Sequence, residues 1–287
     1  MQLGLRYETV YRYEEPVAFS RHDLRLIPRG DRFSRVRRFS LRVDGGSPVR
    51  FSRDVFDNVI ASFFFSEPML ELRFDLEIDL ELEKKDAFDF ILESSAVEMP
   101  FAYDPRLIPI LAPYIKRQTI GLLIVPNWRP PGQGPAGTVS ALVELNHALR
   151  DCIAYERREE GSARSPAETL RLGRGACRDV MVLLAELLRG AGLAARVVSG
   201  YMGEGDSLSH RAEGSLHAWT EVFLPGAGWV GMDATNGVFC DHNFIAAAVG
   251  LTPGDITPIN GKYLHQGTIR SEMTSRLEMV RDVDRSL

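Results

Sequence analysis

The sequence predicts an α+β protein in which an all-β N-terminal domain is followed by a second domain of helices and strands. Residues 1–85 alternate apolar and polar side chains with the two-residue period of half-buried strands. From residue 138 onward, apolar residues recur at helical spacing, and strand-like segments follow them. The intervening residues are rich in proline. The predicted domains are therefore 1–85, a connector at 86–137, and 138–287.

Composition limits the classes of function. Of the 287 residues, 45% are hydrophobic and 25% are charged, which is typical of a globular protein and not of a disordered one. The longest apolar stretches are far shorter than the about 20 residues that cross a bilayer. A net charge of −5 argues against nucleic acid as the main partner. Three cysteines and an N-terminus without a signal-peptide pattern predict a cytoplasmic protein.

The N-terminal domain is predicted to be an antiparallel, sandwich-like β structure. Its clearest strand spans residues 70–83, where leucine, isoleucine and phenylalanine alternate with charged residues over fourteen positions. Asp57-Asn58 predicts a hairpin turn between two apolar pairs. Eight arginines crowd residues 21–42, and acidic residues crowd 67–86. We interpret them as solvated strand faces that pair with each other, with a polyanion-binding surface as the alternative.

The second domain is predicted to begin with helices. One apolar stripe spans residues 138–152, and another spans 180–188. Between them, Ser165-Pro166-Ala167-Glu168 is a helix-capping box, and Gly173 is a suitable C-terminal stop. Residues 194–201, 217–224 and 228–233 then read as successive strands, with a further strand or two between 267 and 283.

Cys177 is the candidate nucleophile. It directly precedes the second apolar stripe and therefore lies at a predicted helix N-terminus. Unpaired backbone N–H groups and the helix dipole favour a thiolate there, and the same N–H groups could stabilise an oxyanion. Gly175 would let a substrate backbone approach closely. A buried, inert cysteine at a helix start is the alternative.

His217 and Asp233 are the candidate partners of that thiol. His217 opens one predicted strand and Asp233 ends the next. A thiol nucleophile needs a base, and the base needs an acceptor that orients it. The two side chains share a face only if the connecting loop has three or five residues, because a one-residue slip reverses the faces. A loop of five places them directly opposite, and a loop of three makes them diagonal neighbours.

Four sequence blocks resemble the transglutaminase-like superfamily of papain-type cysteine enzymes, and more narrowly the bacterial transglutaminase-like proteins described as candidate cysteine proteases. The blocks are residues 175–179 (GACRD), 184–201, 217–219 (HAW) and 233–237 (DATNG). The resemblance covers about 138–245 and extends more loosely to the N-terminal region. It implies a papain-like core, in which the cysteine helix packs on an antiparallel sheet, and a triad of Cys177, His217 and Asp233. Ala234 departs from the family, which often has proline there.

Four further residues are tentative contributors to substrate or oxyanion binding. An oxyanion donor is expected upstream of Cys177, where Trp128 and Gln133 are candidates. Gly175 is expected to line the substrate path. Trp219, which follows the histidine as in the family, either walls the site or belongs to the core.

The combined interpretation is a cysteine-dependent acyl-transfer enzyme acting on peptide or side-chain amides of a peptide or protein substrate. Hydrolysis is favoured because water is always present, and transfer to an amine, as in a transglutaminase, is the alternative. A non-catalytic binding protein on the same core is a second alternative. We expect no cofactor and no metal, because the cysteines and histidines lack the close spacing of zinc ligands. The oligomeric state is left open.

Overall fold

The computed structural model describes residues 1–119, 121–126, 128, 136–158, 161–203 and 216–282. Its helices are α1 (Ile108–Ile115), α2 (Thr138–Cys152), α3 (Pro166–Leu172) and α4 (Cys177–Gly190), with short 3₁₀ helices at Ser94–Ala96 and Pro253–Ile256. Its strands are β1 (Gln2–Phe19), β2 (His22–Leu24), β3 (Ser34–Val43), β4 (Arg50–Arg53), β5 (Val59–Phe63), β6 (Met69–Leu82), β7 (Glu98–Met99), β8 (Ala136–Gly137), β9 (Ala154–Tyr155), β10 (Arg174–Gly175), β11 (Ala195–Met202), β12 (Leu216–Leu224), β13 (Gly228–Asp233), β14 (Val238–Phe239), β15 (Phe244–Gly250), β16 (Ile259–Asn260), β17 (Tyr263–Leu264) and β18 (Ser271–Asp282). Among the described helices, none has the length and apolar character of a membrane span.

Two antiparallel sheets form the N-terminal sandwich. One has the order β17-β1-β6-β3 with β18 also on β1, and the other has the order β16-β2-β5-β4. The predicted alternation in β6 is confirmed, because Leu72 and every second residue through Leu82 are buried. Leu70, which shares their parity, is 52% exposed because the pairing of β1 with β6 is irregular at this end.

The arginine-rich stretch pairs with the acidic strand. Strand β3, which carries several of these arginines, runs antiparallel to β6. Arg38 contacts Asp79 at 2.8 Å, and Arg37 pairs with Glu81. All four side chains are largely exposed, so each pair contributes at most about 1 kcal/mol. The interpretation as solvated faces that pair with each other is confirmed for these residues.

The predicted assignment of 138–287 to one domain is wrong at its C-terminal end. Strand β18 pairs with β1 along its whole length, from Gln2↔Asp282 to Tyr13↔Ser271. Strands β16 and β17 likewise join β2 and β1. The alternation of side chains predicts a strand here but not its partner, and the long edge of β1 would stay unpaired without it. Residues 259–282 therefore complete the N-terminal sandwich.

The second domain is built on a sheet with the order β14-β13-β12-β11-β15. Helix α4 packs on this sheet through its apolar stripe, and α2 and α3 pack against α4. The capping prediction for α3 is confirmed: the Ser165 side chain accepts from the Glu168 N–H, and Gly173 ends the helix with φ of 60°. The predicted connector contributes Met99 and Val125 to the same buried core, so it is a packed part of this domain.

Asn58 fastens the sandwich to the core sheet. It lies at the end of the predicted hairpin turn, where Asp57 and not Asn58 has a positive φ, of 63°. The Asn58 side chain is fully buried; its amide donates to the carbonyl of Val249 at 2.7 Å and accepts from the Val249 N–H at 2.9 Å. It also accepts from Arg29 at 2.7 Å. One side-chain amide therefore satisfies both backbone groups of Val249 and ties the hairpin of the sandwich to the core sheet.

Replacing Asn58 by Ala is expected to lower the free energy of unfolding by about 3 kcal/mol, because it leaves both polar groups of Val249 buried without a partner. Denaturation in guanidinium chloride measures this. The control is Val55→Ala on the same hairpin, where the side chain is 92% exposed and the expected change is within about 0.5 kcal/mol. A loss below about 1 kcal/mol for Asn58→Ala contradicts the fastening role.

Candidate active site

Cys177 is the first residue of α4, as predicted. The helix begins here because the Asp179 carboxylate accepts from the backbone N–H of Ala176 at 2.9 Å, a bond that closes the first turn. The thiol is half-buried, and none of the three cysteines forms a disulfide. The backbone N–H of Cys177 has no acceptor within the helix, since it belongs to the first turn. It is therefore available to a group that lies against the sulfur.

The β12–β13 hairpin brings His217 and Asp233 together. Its register pairs Leu224 with Gly228, which leaves a loop of three residues, 225–227. The parity prediction is thus confirmed, and the two side chains are diagonal neighbours on one face. The imidazole Nε2 lies 2.8 Å from Asp233 Oδ2, and both residues are 1% exposed.

The carboxylate of Asp233 is held by three donors. Besides the imidazole, the Asn236 side-chain amide donates to Oδ2 at 2.6 Å, and the Thr235 N–H donates to Oδ1 at 3.0 Å. Burial alone would raise the pKa of Asp233, but the charge and hydrogen bond of His217, with these two further bonds, lower it. The group is therefore an anion that faces the imidazole.

The imidazole of His217 lies between this anion and the thiol. Burial of the ring favours its neutral form, but the charge and hydrogen bond of Asp233 outweigh burial, and hydrogen bonding with Cys177 adds to them. Together they raise the pKa of His217 to about 10. Nδ1 is buried and makes no hydrogen bond of ordinary geometry with the described residues. With Nε2 on Asp233, Nδ1 is the nitrogen left for the Cys177 thiol. We call these three residues the Cys–His–Asp cluster.

Two family models match parts of this chain. Residues 132–234 match the model of the transglutaminase-like superfamily, and residues 3–81 match that of the bacterial transglutaminase-like N-terminal region. The chain has a transglutaminase-like core. Residues 3–81 of the N-terminal sandwich are accordingly similar to the bacterial transglutaminase-like N-terminal region.

Relatives and a solved structure extend along nearly the whole chain. An uncharacterized protein of Mycobacterium leprae is 27% identical over 91% of this chain and 92% of its own. One of Mycobacterium tuberculosis is 25% identical over 89% of this chain and 85% of its own. The crystal structure of a Cytophaga hutchinsonii protein described as a "putative cysteine protease" has a TM-score of 0.69 at 16% identity, covering 100% of this chain and 92% of that one. The predicted α+β fold is confirmed.

Trp219 lies beneath the imidazole in the transglutaminase-like core. It is 2% exposed, and its ring stacks with that of His217 at 6.2 Å and 25°. Phe244 packs against both rings, at 6.0 Å from His217 and 5.5 Å from Trp219. Of the two alternatives for Trp219, the structure therefore favours the core: the indole supports the ring from below and does not line an open wall.

The structure gives surroundings for two of the other three candidates, Gly175 and Trp128. A Cβ on Gly175 would stand 2.9 Å from the Cβ of Asp179, so the glycine is required by the packing of that side chain. Trp128 is half-buried against the core and lines a groove of about 990 Å³ along α2, whose described lining does not include the cluster. Gln133 lies outside the described residues.

The remaining cysteines differ from Cys177. Burial raises the pKa of the Cys152 thiol, and it raises that of the more deeply buried Cys240 thiol well above its usual value. Both thiols are therefore poor nucleophiles near neutral pH. His242, two residues from Cys240, lies 3.3 Å from the carbonyl of Lys85. The described residues contain no group of three or more possible metal ligands.

Sequence reasoning missed two supporting residues of this site. The position of Asn236 in the sequence could have predicted its role, since a side-chain amide three residues after Asp233 in a tight turn can reach back to the Asp233 carboxylate. Phe244 carries no such signal, because it comes from β15, which β11 separates from β12 in the sheet. Its contact with the imidazole depends on sheet order alone.

Proposed function

We propose that this protein is a cysteine-dependent acyl-transfer enzyme that acts on peptide or side-chain amides through a thioester, mainly with water as the acceptor. The observation that carries the proposal is the buried imidazole of His217, which has Asp233 on Nε2 and Nδ1 left for Cys177. The raised pKa of His217 favours an imidazolium, and an imidazolium stabilises a neighbouring thiolate.

The reaction follows from these positions. The Cys177 thiolate attacks the amide carbonyl carbon, and a C–S bond forms while the carbonyl oxygen becomes an oxyanion. We assign the stabilisation of that oxygen to backbone N–H groups of the first turn of α4, which lack acceptors within the helix. Collapse breaks the C–N bond, and the imidazolium of His217 gives its proton to the leaving amine. Water then attacks the thioester carbonyl carbon, and neutral His217 takes one of its protons. The C–S bond breaks, the product leaves as a carboxylic acid, and the Cys177 thiolate and the His217 imidazolium are restored.

The acceptor decides between two activities of the same site. Water gives a peptidase or amidase, and a primary amine gives a new amide, as in a transglutaminase. The Cys–His–Asp cluster serves both, so the choice depends on whether the cleft admits water and holds an amine. Water is present at about 55 M in any open cleft, whereas a competing amine needs a binding site of its own, so we favour hydrolysis of a peptide or protein substrate.

Selective alkylation tests the nucleophile before any substrate is known. The folded protein is treated with iodoacetamide between pH 5.5 and 9, and the labelled cysteines are identified by peptide mapping. We expect Cys177 to react at least about tenfold faster than an ordinary thiol at pH 6.5. Cys152, whose raised pKa predicts slow labelling, and the buried Cys240 serve as internal controls. Cys177 reacting no faster than a model thiol contradicts the proposal.

A substrate screen separates the alternatives. Peptide amides and γ-glutamyl amides are incubated with and without a primary amine, and the released ammonia or amine is measured together with any new amide. Release without added amine supports hydrolysis, and product that requires the amine supports transamidation. A protein that alkylates slowly and releases nothing is the result expected of a non-catalytic binding protein.

A further inference from the structure

The carboxylate of Asp179 is buried two residues beyond Cys177 and has no part in the reaction described above. Asp179 is 0% exposed. Its Oδ1 accepts from the Arg158 guanidinium at 2.7 Å and from the backbone N–H of Arg164 at 2.8 Å. Its Oδ2 accepts from the backbone N–H of Ala176 at 2.9 Å. One carboxylate thus joins the loop before α3 to the residue that precedes the nucleophile.

The packing around Asp179 leaves its neighbours little freedom. A Cβ on Gly175 would stand 2.9 Å from the Cβ of Asp179 and 3.3 Å from a methyl group of Thr169. Real Cβ atoms do not approach a carbon so closely, so either the strand or the carboxylate would have to move. The carbonyl of Gly175 also accepts from the Glu156 N–H at 2.9 Å. The path of the chain into Cys177 is therefore fixed on both sides.

The residue after Cys177 is tied to the same loop. The Arg178 guanidinium donates to the carbonyl of Arg158 at 2.7 Å. Arg158 in turn donates to Asp179 and to the carbonyl of Ser162 at 3.0 Å. Both neighbours of the nucleophile are thus anchored to one loop, and Asp179 is the group on which these bonds converge.

We propose that Asp179 is a positioning residue: it holds residues 176–178 so that the Cys177 sulfur faces Nδ1 of His217. The inference rests on the proposed function. The charge of Asp179 cannot itself be the benefit, because a nearby anion disfavours a thiolate. Arg158 and the more distant Arg164 guanidinium, at 3.9 Å, offset that charge, so the carboxylate can hold the loop without repelling the sulfur.

Two variants separate position from charge. Asp179→Asn removes the charge and turns an amide N–H₂ toward donors, whereas Gly175→Ala keeps the charge and displaces the carboxylate. We expect both to slow alkylation of Cys177 at pH 6.5 about tenfold and to move its pH profile toward that of an ordinary cysteine. If Asp179 acted only through its negative charge, Cys177 would be alkylated faster and at lower pH in Asp179→Asn. In Gly175→Ala the alkylation of Cys177 would be unchanged. That result overturns the proposal.

The matched control is Asp255→Asn. Asp255 also caps a short helical turn, accepting from the N–H groups of Leu251 and Thr252 at 3.1 and 2.9 Å, but it lies outside the cluster. We expect it to lower Tm with no change in the alkylation profile, which separates positioning from general destabilisation. If Asp179→Asn yields no folded protein, the pH profile of Cys177 alkylation is measured in Gly175→Ala and Arg158→Met instead. Folded variants with a wild-type profile overturn the inference.

The same data keep the two proposals apart. A wild-type Cys177 that reacts no faster than a model thiol defeats the proposed function. A fast wild-type protein whose variants are equally fast defeats only the role of Asp179.

Discussion

Replacing Cys177 by Ala is expected to lower kcat/KM on the amide substrate on the order of 10⁴- to 10⁶-fold. The variant has no atom that can form the thioester, and such a loss is what removal of a nucleophile causes in comparable sites. The Cys177 side chain is half-buried at the N-terminus of α4, so the fold is expected to survive with Tm nearly unchanged. Initial rates at several substrate concentrations, with Tm from a thermal melt, measure both quantities.

Cys152→Ala is the control for this variant. Cys152 is also half-buried and is the last residue of α2, but it lies outside the cluster, and we expect full activity from Cys152→Ala. Retention of more than a tenth of the wild-type rate by a folded Cys177→Ala protein contradicts the covalent mechanism. It would mean that a different group carries the acyl transfer.

Asp233→Asn is expected to lower kcat/KM about 10⁴-fold with the fold intact. The buried imidazole loses the negative charge that holds its pKa near 10, and burial then favours the neutral ring. Without an imidazolium, the thiolate loses its partner and the leaving amine loses its proton donor. The loss is smaller than that of Cys177→Ala, because the nucleophile itself is still present.

The pH dependence of Asp233→Asn gives a second, independent measurement. In the wild-type protein the alkaline limb of kcat/KM is expected near the raised pKa of His217, about 10, and the variant should move it to lower pH. The free energy of unfolding is expected to fall over the same pH range. Because the folded pKa of His217 lies above its unfolded value of 6.5, its stabilisation is complete below pH 6.5 and is lost as pH rises through about 10. Unfolding of the variant should therefore depend less on pH in this window.

Asp241→Asn is the control for charge removal near the hairpin. Asp241 accepts from the backbone and side-chain amides of Asn243, at 2.8 and 2.9 Å, and makes no hydrogen bond to the imidazole of His217. We expect a wild-type alkaline limb from this variant. An alkaline limb that is unchanged in Asp233→Asn would contradict the assignment of the raised pKa to the His217–Asp233 pair.

Local sequence signals predicted three of the four described α-helices and the longer strands, but not α1 or β15. The alternation of β6, the capping of α3 by Ser165 and the apolar stripe of α4 each depend on neighbours within a few residues, and each is confirmed. The hairpin between His217 and Asp233 is local too, so strand parity and a three-residue loop were enough to place the two side chains on one face. The identity of the three cluster residues came from the spacing of motifs and from family resemblance.

Contacts between distant segments could not be predicted in this way. The pairing of β18 with β1 and the bonds of Asn58 to Val249 join residues far apart in the chain, and many partners would satisfy the same local pattern. The packing constraint at Gly175 could not be predicted for the same reason. The sequence shows a glycine near a nucleophile, but only the packed loop reveals that Asp179 occupies the space.

The amino-acid sequence by itself determined the α+β class, the main helices and longer strands, and the candidate chemistry of Cys177, His217 and Asp233, because periodicity, capping and motif spacing are short-range properties. Only the tertiary structure decided that the last strand closes the first sheet, that Trp219 lies beneath the imidazole, and that Asp179 holds the chain at the nucleophile. These depend on which surfaces exclude water together, and that is a property of the whole packed chain.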